Sequence, residues 1–393
     1  MKKQALLSLL ALATLLLSGC GSYFDEEYVV VSDYVPAVSD SAPSGDKILV
    51  RSFAELRRAL LSLVGEGKTA GNIVFDTAYE GDITEDMASA CWQVRTQDAL
   101  CAYRVANIAY ELSKIVTYSE ANISISYSDA ALDTEDIIRM QFSTGLDDLL
   151  RQAMEAGKTR LAVLVSQSFY SQENVENEVT EVYRSKPSIA PQEPEVDVNM
   201  FSGTGSQRLY EINLDYGMTA EELADFRDQM RRFDPFPEMD TSQMSAGLRA
   251  LTACQYLMAH CRYTEDAGAN GLNAALLGGE ANSEGMALAY VDLCARLGLE
   301  CQVIDGQRNW KDCYWNLVQI DGDYYHVDVP VCTEDGLEKA FLLSDEIAWN
   351  SYRWDVAAYP RCIGPLRYKD LLSENTAPAD TLEENQEESK NNT

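Results

Sequence analysis

The feature that most constrains the fold is a turn signal near the C-terminus, Asp321-Gly322, which separates two strand-like runs at 315–320 and 323–329. An Asp-Gly pair between such runs is a strong signal for a β-hairpin. Upstream, residues 282–298 combine a polar start, apolar residues at helical spacing and a glycine stop, which predicts a helix. We therefore expect a helix followed by antiparallel strands in this region.

The predicted hairpin places chemically informative side chains on one face. Cys313 and Asp328 project from the same face whether the loop has two residues or four. His326 shares that face because it lies two residues before Asp328. With the four-residue loop His326 is diagonal to Cys313, about 7–8 Å away, and with the two-residue loop it is farther off.

Ser283 stands at the start of the predicted helix, where the helix dipole and free amides would make a cysteine reactive. A serine needs an adjacent base to become a nucleophile, so a simple N-cap role is favoured for Ser283. The chain has two histidines. We interpret His260, near a helix end, as a packed or solvent-edge residue. His326 is favoured as structural, and a rewired Cys313–His326 dyad is the alternative.

Residues 240–362 resemble the transglutaminase-like domain, a papain-related fold. The family's nucleophile lies in a C-x-G-[YF]-A pattern, which SEGMA at 283–287 matches, and its histidine begins an H-A-W-N strand, which CYWN at 313–316 matches. The family's aspartate matches Asp328. The resemblance implies helices packed on an antiparallel sheet and a degenerate triad, with Ser283 for the cysteine, Cys313 for the histidine and Asp328 retained.

The upstream half, residues 48–186, is predicted to be an α/β or α+β domain, which gives the whole chain an α+β class. Strands are expected at 73–75, 123–127 and 161–165, and helices from a capping box at Ser52–Glu55 and near 99–117 and 136–156. Prolines mark a boundary, so 187–218 is expected to be a linker with a connecting strand, followed by a second domain at 219–372. That domain opens with helices at 219–232 and about 241–262. No internal repeat is recognised.

The two ends are predicted to lie outside the fold. Residues 1–19 have a basic start and an apolar run that is too short to span a bilayer, which is typical of a signal peptide. Leu17-Ser18-Gly19-Cys20 resembles the lipobox of bacterial lipoproteins, which implies a diacylated Cys20 and anchoring at the extracytoplasmic face of the cell membrane. Residues 20–47 are predicted to be a flexible tether, and 373–393 an acidic disordered tail.

The net charge excludes one class of binding partner, and the cysteine content raises the question of disulfide bonds. A net charge of −32 over 393 residues excludes sequence-independent nucleic-acid binding, which needs a basic surface. Nine cysteines remain besides Cys20, and export would permit disulfides. Cys254 and Cys261 cannot pair within one helix, because seven residues of helix span about 10 Å. Disulfide bonds between Cys91 and Cys101 and between Cys332 and Cys362 remain as alternatives.

The function expected from these observations is a lipid-anchored binding or scaffolding module for peptide or cell-envelope material, without cofactor or metal. Two alternatives remain. One is an active cysteine acyltransferase or peptidase that uses Cys313 and His326. The other is a structural surface protein whose function lies in the N-terminal half.

Overall fold

The computed structural model describes residues 47–374 apart from 238 and 242. The predicted signal peptide, Cys20 and nearly all of the predicted tether and acidic tail lie outside the described residues. Within the described part of the chain, no helix is both long and apolar enough to cross a membrane.

The secondary structure has the following bounds. The helices are α1 (Phe53–Gly65), α2 (Ile83–Gln97), α3 (Ala99–Arg104), α4 (Leu146–Glu155), α5 (Gln172–Ser185), α6 (Ala220–Arg232), α7 (Ala246–His260), α8 (Leu272–Leu276), α9 (Ser283–Arg296), α10 (Val329–Asp335), α11 (Leu337–Ala340), α12 (Asp345–Ala348) and α13 (Tyr368–Glu374). The strands are β1 (Ile48–Val50), β2 (Ala70–Phe75), β3 (Val105–Ile115), β4 (Tyr118–Tyr127), β5 (Ile138–Phe142), β6 (Arg160–Gln167), β7 (Glu195–Ser202), β8 (Arg208–Asp215), β9 (Arg262–Tyr263), β10 (Glu280–Ala281), β11 (Cys301–Arg308), β12 (Lys311–Ile320), β13 (Asp323–Val327), β14 (Phe341–Leu343) and β15 (Tyr352–Trp354).

Two consecutive segments, 48–127 and 138–216, fold with the same topology. Each contains a four-stranded sheet in which the first two strands are parallel and the other neighbours antiparallel, in the orders β1-β2-β4-β3 and β5-β6-β8-β7. Each places one helix after its first strand, and after its second strand the first repeat has α2 and α3 where the second repeat has α5. We call these segments the first and second repeat.

The repeats share local chemistry as well as topology. The first helix of each is followed by Gly-Lys-Thr, at 67–69 and 157–159. Both glycines have positive φ, 68° and 71°, and both lysine amides donate to the carbonyl five residues back at 2.9 Å. Tyr127 and Tyr216, at the end of each last strand, donate their hydroxyls to the carbonyl of that lysine at 2.7 and 3.2 Å. The expectation of no internal repeat was therefore wrong.

Several local predictions in this half differ from the structure. The expected helix at 99–117 is helical only in α3 and continues as β3, because β3 pairs with β4 along nearly its whole length. The expected helix at 136–156 begins as β5, which pairs with β6. Strand pairing in a sheet overrides local helical spacing in both places. The expected linker at 187–218 forms β7 and β8, which extend the sheet of β6.

The C-terminal part contains a five-stranded antiparallel sheet, β14-β13-β12-β11-β15. Helix α9 packs on one face, where the buried Asn316 side chain donates to the Ala287 carbonyl at 3.0 Å. The opposite face holds a separate apolar cluster around Trp315 and Leu317. Separate sheets with helices packed on them make the fold α+β, as predicted.

The predicted hairpin is confirmed and has the shorter loop. Ile320 pairs with Asp323 across the two residues Asp321 and Gly322. Both turn residues have positive φ, 52° and 93°, as a type I′ turn requires. The register of β12 and β13 is therefore the one in which His326 lies farther from Cys313.

Candidate functional site

Ser283 is the first residue of α9 and is not its N-cap. The Asn282 side chain caps the helix by accepting from the Gly285 amide at 3.1 Å. The Ser283 hydroxyl accepts from the backbone amide of Tyr314 at 3.3 Å. The expected N-cap role of Ser283 is therefore wrong, and its side chain joins the helix start to the residue that follows Cys313.

Gly285 lets the helix start pack against the preceding loop. A Cβ at this position would lie 2.8 Å from the Ala269 carbonyl oxygen and 3.1 Å from that of Gly271. Backbone contacts this short cannot be relieved by a side-chain rotation, so only glycine fits. This packing fixes the position of Ser283 relative to strand β12.

Cys313 lies in β12 opposite Gly306, with a half-buried thiol. Burial, together with the nearby charge of Asp328, raises the pKa of Cys313 to about 12, although Arg308 acts in the opposite direction. At neutral pH the group is therefore a thiol and not the thiolate that nucleophilic attack requires.

Asp328 is buried and its carboxylate is held by protein groups. It caps α10, with Oδ1 accepting from the Val331 amide at 3.1 Å. Oδ2 accepts from the Tyr352 hydroxyl at 2.8 Å and lies 4.0 Å from Nε of Arg308. Burial raises the pKa of Asp328 although these partners oppose the shift. The carboxylate of Asp328 therefore stabilises the start of α10 and holds Tyr352, and it does not contact the imidazole of either histidine.

Arg308 is the residue at this site that the sequence analysis missed. It ends β11, pairs with Lys311 across the turn Asn309-Trp310, and is half-buried. Burial alone would lower the pKa of Arg308, but the negative charges around it, led by Asp328, raise it overall. The site therefore contains a half-buried guanidinium cation beside Asp328 and Cys313. Recognising Asn309-Trp310 as a turn would have placed Arg308 there.

His326 lies on the same sheet but is occupied elsewhere. Nε1 of Trp315 donates to Nδ1 of His326 at 3.0 Å, and Nε2 of His326 is 3.0 Å from Oδ1 of Asp345. Because an indole N–H can only donate, Nδ1 is the acceptor and Nε2 donates to Asp345. Burial lowers the pKa of His326. Neither ring nitrogen is free to take a proton from Cys313.

His260 is also away from the site. Its ring stacks on Tyr256 with centroids 4.2 Å apart, and Nδ1 lies 2.8 Å from the Tyr256 carbonyl oxygen. The side chain therefore packs on its own helix, α7.

One group of side chains in the described part of the chain has the donor types of a metal site. Ligand atoms of His326, Asp345 and Cys362 lie within 4.8 Å of one another. A neutral histidine that binds metal through Nε2 carries its proton on Nδ1, which here would face the N–H of Trp315. The donor set does not fit a metal, and we interpret the group as a buried hydrogen-bond network.

The cysteines are all free thiols in the described residues. The thiol of Cys332 lies beside Cys254 in one apolar cluster, and the contact with Cys254 and burial raise its pKa. Cys362 instead lies beside Asp345, in a different apolar cluster. The structure therefore gives no support to a Cys332–Cys362 pair. Cys91 and Cys101 share the core of the first repeat.

Comparisons with known proteins found distant structural similarity. No protein-family model matches the sequence, and no curated protein matches it. The crystal structure of a transglutaminase is 13% identical, with a TM-score of 0.25 over 43% of this chain and 50% of the other. A Cytophaga hutchinsonii protein assigned as a cysteine protease is 10% identical, with a TM-score of 0.19 over 35% and 62%. The chain thus spans less than two thirds of either structure, and TM-scores this low carry no argument about function.

Proposed function

We propose that this protein is an exported, lipid-anchored binding module whose C-terminal, transglutaminase-like region no longer catalyses acyl transfer. Its ligand is peptide or cell-envelope material bound at the site of Ser283, Cys313 and Asp328. The lipobox-like segment ending at Cys20 supports the anchor and the extracytoplasmic location.

The observation that carries the proposal is the chemistry around Cys313. Burial and the charge of Asp328 keep Cys313 protonated, with Arg308 acting in the opposite direction, and the imidazole of His326 is hydrogen-bonded to Trp315 and Asp345. A serine or thiol without a neighbouring base is a weak nucleophile at neutral pH. Catalysis through Ser283 or Cys313 would therefore need a free base, and the candidates near Cys313 are engaged: His326 bonds to Trp315 and Asp345, and the Asp328 oxygens accept from Val331 and Tyr352.

The same residues can serve binding. Arg308 offers a half-buried guanidinium at the end of the hairpin β11–β12. Guanidinium groups bind carboxylates well, and peptides carry such groups. A site that has lost its base but keeps a fixed cation is suited to holding a peptide and unsuited to cleaving it.

The experiment combines catalysis and binding in one protein preparation. We expect no incorporation of a fluorescent amine into a glutamine peptide and no peptide cleavage. We expect short peptides or soluble cell-wall fragments to raise the melting temperature, because a ligand that binds only the folded state stabilises it.

The control is Arg308→Gln, with its own melting temperature measured first. A folded Arg308→Gln protein should lose the ligand-induced rise. Turnover of either substrate by the wild-type protein would overturn the proposal, and so would the absence of any ligand-induced rise across the panel.

A further inference from the structure

A second candidate site lies away from Ser283 and Cys313. A cavity of about 590 Å³ is lined by residues of the helices α4, α6 and α9 and by the segment 185–189, which begins at the last residue of α5. It therefore lies where the second repeat meets the C-terminal part. Cavities of 300–1,000 Å³ are typical of small-molecule sites, and such sites favour boundaries between packed units.

The charge of this cavity is opposite to that of the protein. Five of its lining residues are Arg or Lys and two are acidic, Glu155 and Asp292. The whole chain has a net charge of −32. A local excess of three positive charges on so acidic a protein is an unusual distribution, and it attracts anions into this cavity.

Two of the five cations are neutralised by the two acids. Nζ of Lys186 lies 2.5 Å from Oε1 of Glu155, and Nε of Arg296 lies 2.6 Å from Oδ2 of Asp292. These pairs leave the arginines at 151, 227 and 231 as the positive charges available to a ligand.

Arg227 is held in place by the backbone. Its guanidinium donates to the carbonyls of Ile189, Glu155 and Met154 at 2.7, 3.0 and 2.5 Å. Among the described residues it forms no ion pair, and burial lowers its pKa. A rigid cation without a carboxylate partner is a fixed source of positive potential at the cavity wall.

The other two arginines border the same space from different helices. Nη1 of Arg151, on α4, donates to the Ser185 hydroxyl at 2.9 Å, and no ion pair to it occurs within the described ranges. Arg231, on α6, lies 3.0 Å from a carboxylate oxygen of Asp228, which Arg232 also contacts. One carboxylate shared by two arginines leaves one positive charge unbalanced.

We propose that this cavity binds an organic phosphate monoester. Such a group carries close to two negative charges at neutral pH and three acceptor oxygens, which suits several arginines better than a single carboxylate does. Arginine also matches phosphate oxygens with two parallel hydrogen bonds. The volume exceeds that of a phosphate alone, and Ile189, Met230 and Val291 provide apolar wall for the organic part. This proposal does not rest on the proposed function.

The test is calorimetric titration of the full folded chain with a sugar phosphate at low, fixed ionic strength. We expect measurable binding of the sugar phosphate, weaker binding of inorganic phosphate, and none of the unphosphorylated sugar. Succinate, a two-carboxylate anion, should bind at least tenfold more weakly. The double variant Arg151→Gln/Arg231→Gln should weaken binding of the sugar phosphate at least tenfold.

The control removes the same charge elsewhere. Arg58 and Arg95 are exposed residues of α1 and α2 and do not line the cavity. The variant Arg58→Gln/Arg95→Gln should bind like wild type, which separates local contacts from net charge. The proposal is overturned if sugar phosphate gives no binding heat, if succinate binds as tightly, or if both double variants bind like wild type while folded.

Discussion

Asp328 is held at the candidate site through both of its carboxylate oxygens. Its two oxygens serve the Val331 amide and the Tyr352 hydroxyl, and Arg308 lies close to one of them. These contacts stabilise the start of α10 and the pairing of β11 with β15.

The reactivity of Cys313 tests this account at the residue scale. Because its pKa is raised to about 12, the thiolate fraction at pH 7 should be roughly three orders of magnitude below that of a free cysteine with a pKa of about 8.5. Iodoacetamide labelling of the folded protein, read by peptide mass mapping, should be correspondingly slow. Rapid labelling at pH 6 that disappears in His326→Ala would instead establish the Cys313–His326 dyad.

His326 predicts a pH dependence of stability. Burial lowers its pKa in the folded protein, so the unfolded chain binds the proton more tightly. Stability should therefore be present above the unfolded pKa of about 6.5 and decline as the pH falls below it. Between pH 7.5 and 5.5 we expect the free energy of unfolding to fall more steeply in wild type than in His326→Gln, measured by urea denaturation. Equal slopes would contradict the buried, neutral assignment.

Among the elements, helix α9 and hairpin β12–β13 define the candidate site together. The start of α9 contacts the sheet through the hydrogen bond from the Tyr314 amide to the Ser283 hydroxyl. It also packs against the preceding loop at Gly285. In the two repeats, glycine has a different role: Gly67 and Gly157 adopt positive φ in the turn that follows the first helix of each repeat. The position of Ser283 relative to β12 therefore depends on the Tyr314–Ser283 hydrogen bond and on the close packing of Gly285 against the preceding loop.

Gly285 provides the test at this scale. In Gly285→Ala the new Cβ meets the Ala269 carbonyl oxygen at 2.8 Å, and overpacking of this kind costs about 1–3 kcal/mol. The control is Gly65→Ala in α1, where a Cβ meets no atom within 4 Å and stability should rise by about 0.4–1 kcal/mol. Urea denaturation of both variants checks the prediction. Equal changes in the free energy of unfolding would show that the close approach at 285 is not real.

Features that are encoded by neighbouring residues were predicted from the sequence, and features that depend on residues far apart in the chain were missed. The Asp321-Gly322 turn and the α9 helix carry local signals, and both were predicted. The repeat was missed because it is marked by Gly-Lys-Thr and a strand-end tyrosine, positions that become meaningful only when the sheets are seen. Arg308 was missed because the turn Asn309-Trp310, across which β11 pairs with β12, was not recognised in the sequence.

At the scale of the whole molecule, a strongly acidic chain contains a basic cavity among its described residues. Its charge of −32 keeps anionic polymers away from most of the surface. The cavity between the second repeat and helices α6 and α9 is an exception to this charge pattern. A ligand there would contact both parts of the chain, so its binding should stabilise the described structure as a unit.

The proposed anchor is tested on the full chain in a bacterial host. If Cys20 is diacylated, two acyl chains provide stable membrane attachment, at about 0.8 kcal/mol per buried CH₂. Cys20→Ala should leave the membrane fraction or remain unprocessed, as read by fractionation and intact mass. Wild-type protein found in the medium, with its signal cleaved at another residue, would exclude the anchor.

The central proposal is that positions 283, 313 and 328 form one site that lacks a catalytic base. The most direct measurement is the alkylation rate of the thiol introduced by Ser283→Cys, at pH 6, with and without Cys313→His. The helix dipole and a paired imidazole both favour a thiolate, and such a thiol can have a pKa of about 3–4.

We predict fast alkylation at position 283 in Ser283→Cys/Cys313→His. The rate should be slow when Cys313→Ala replaces Cys313→His, and slow again when Asp328→Ala is added, with folding checked by circular dichroism. An introduced thiol that reacts no faster than a free cysteine in the folded double variant would contradict the convergence of these three positions.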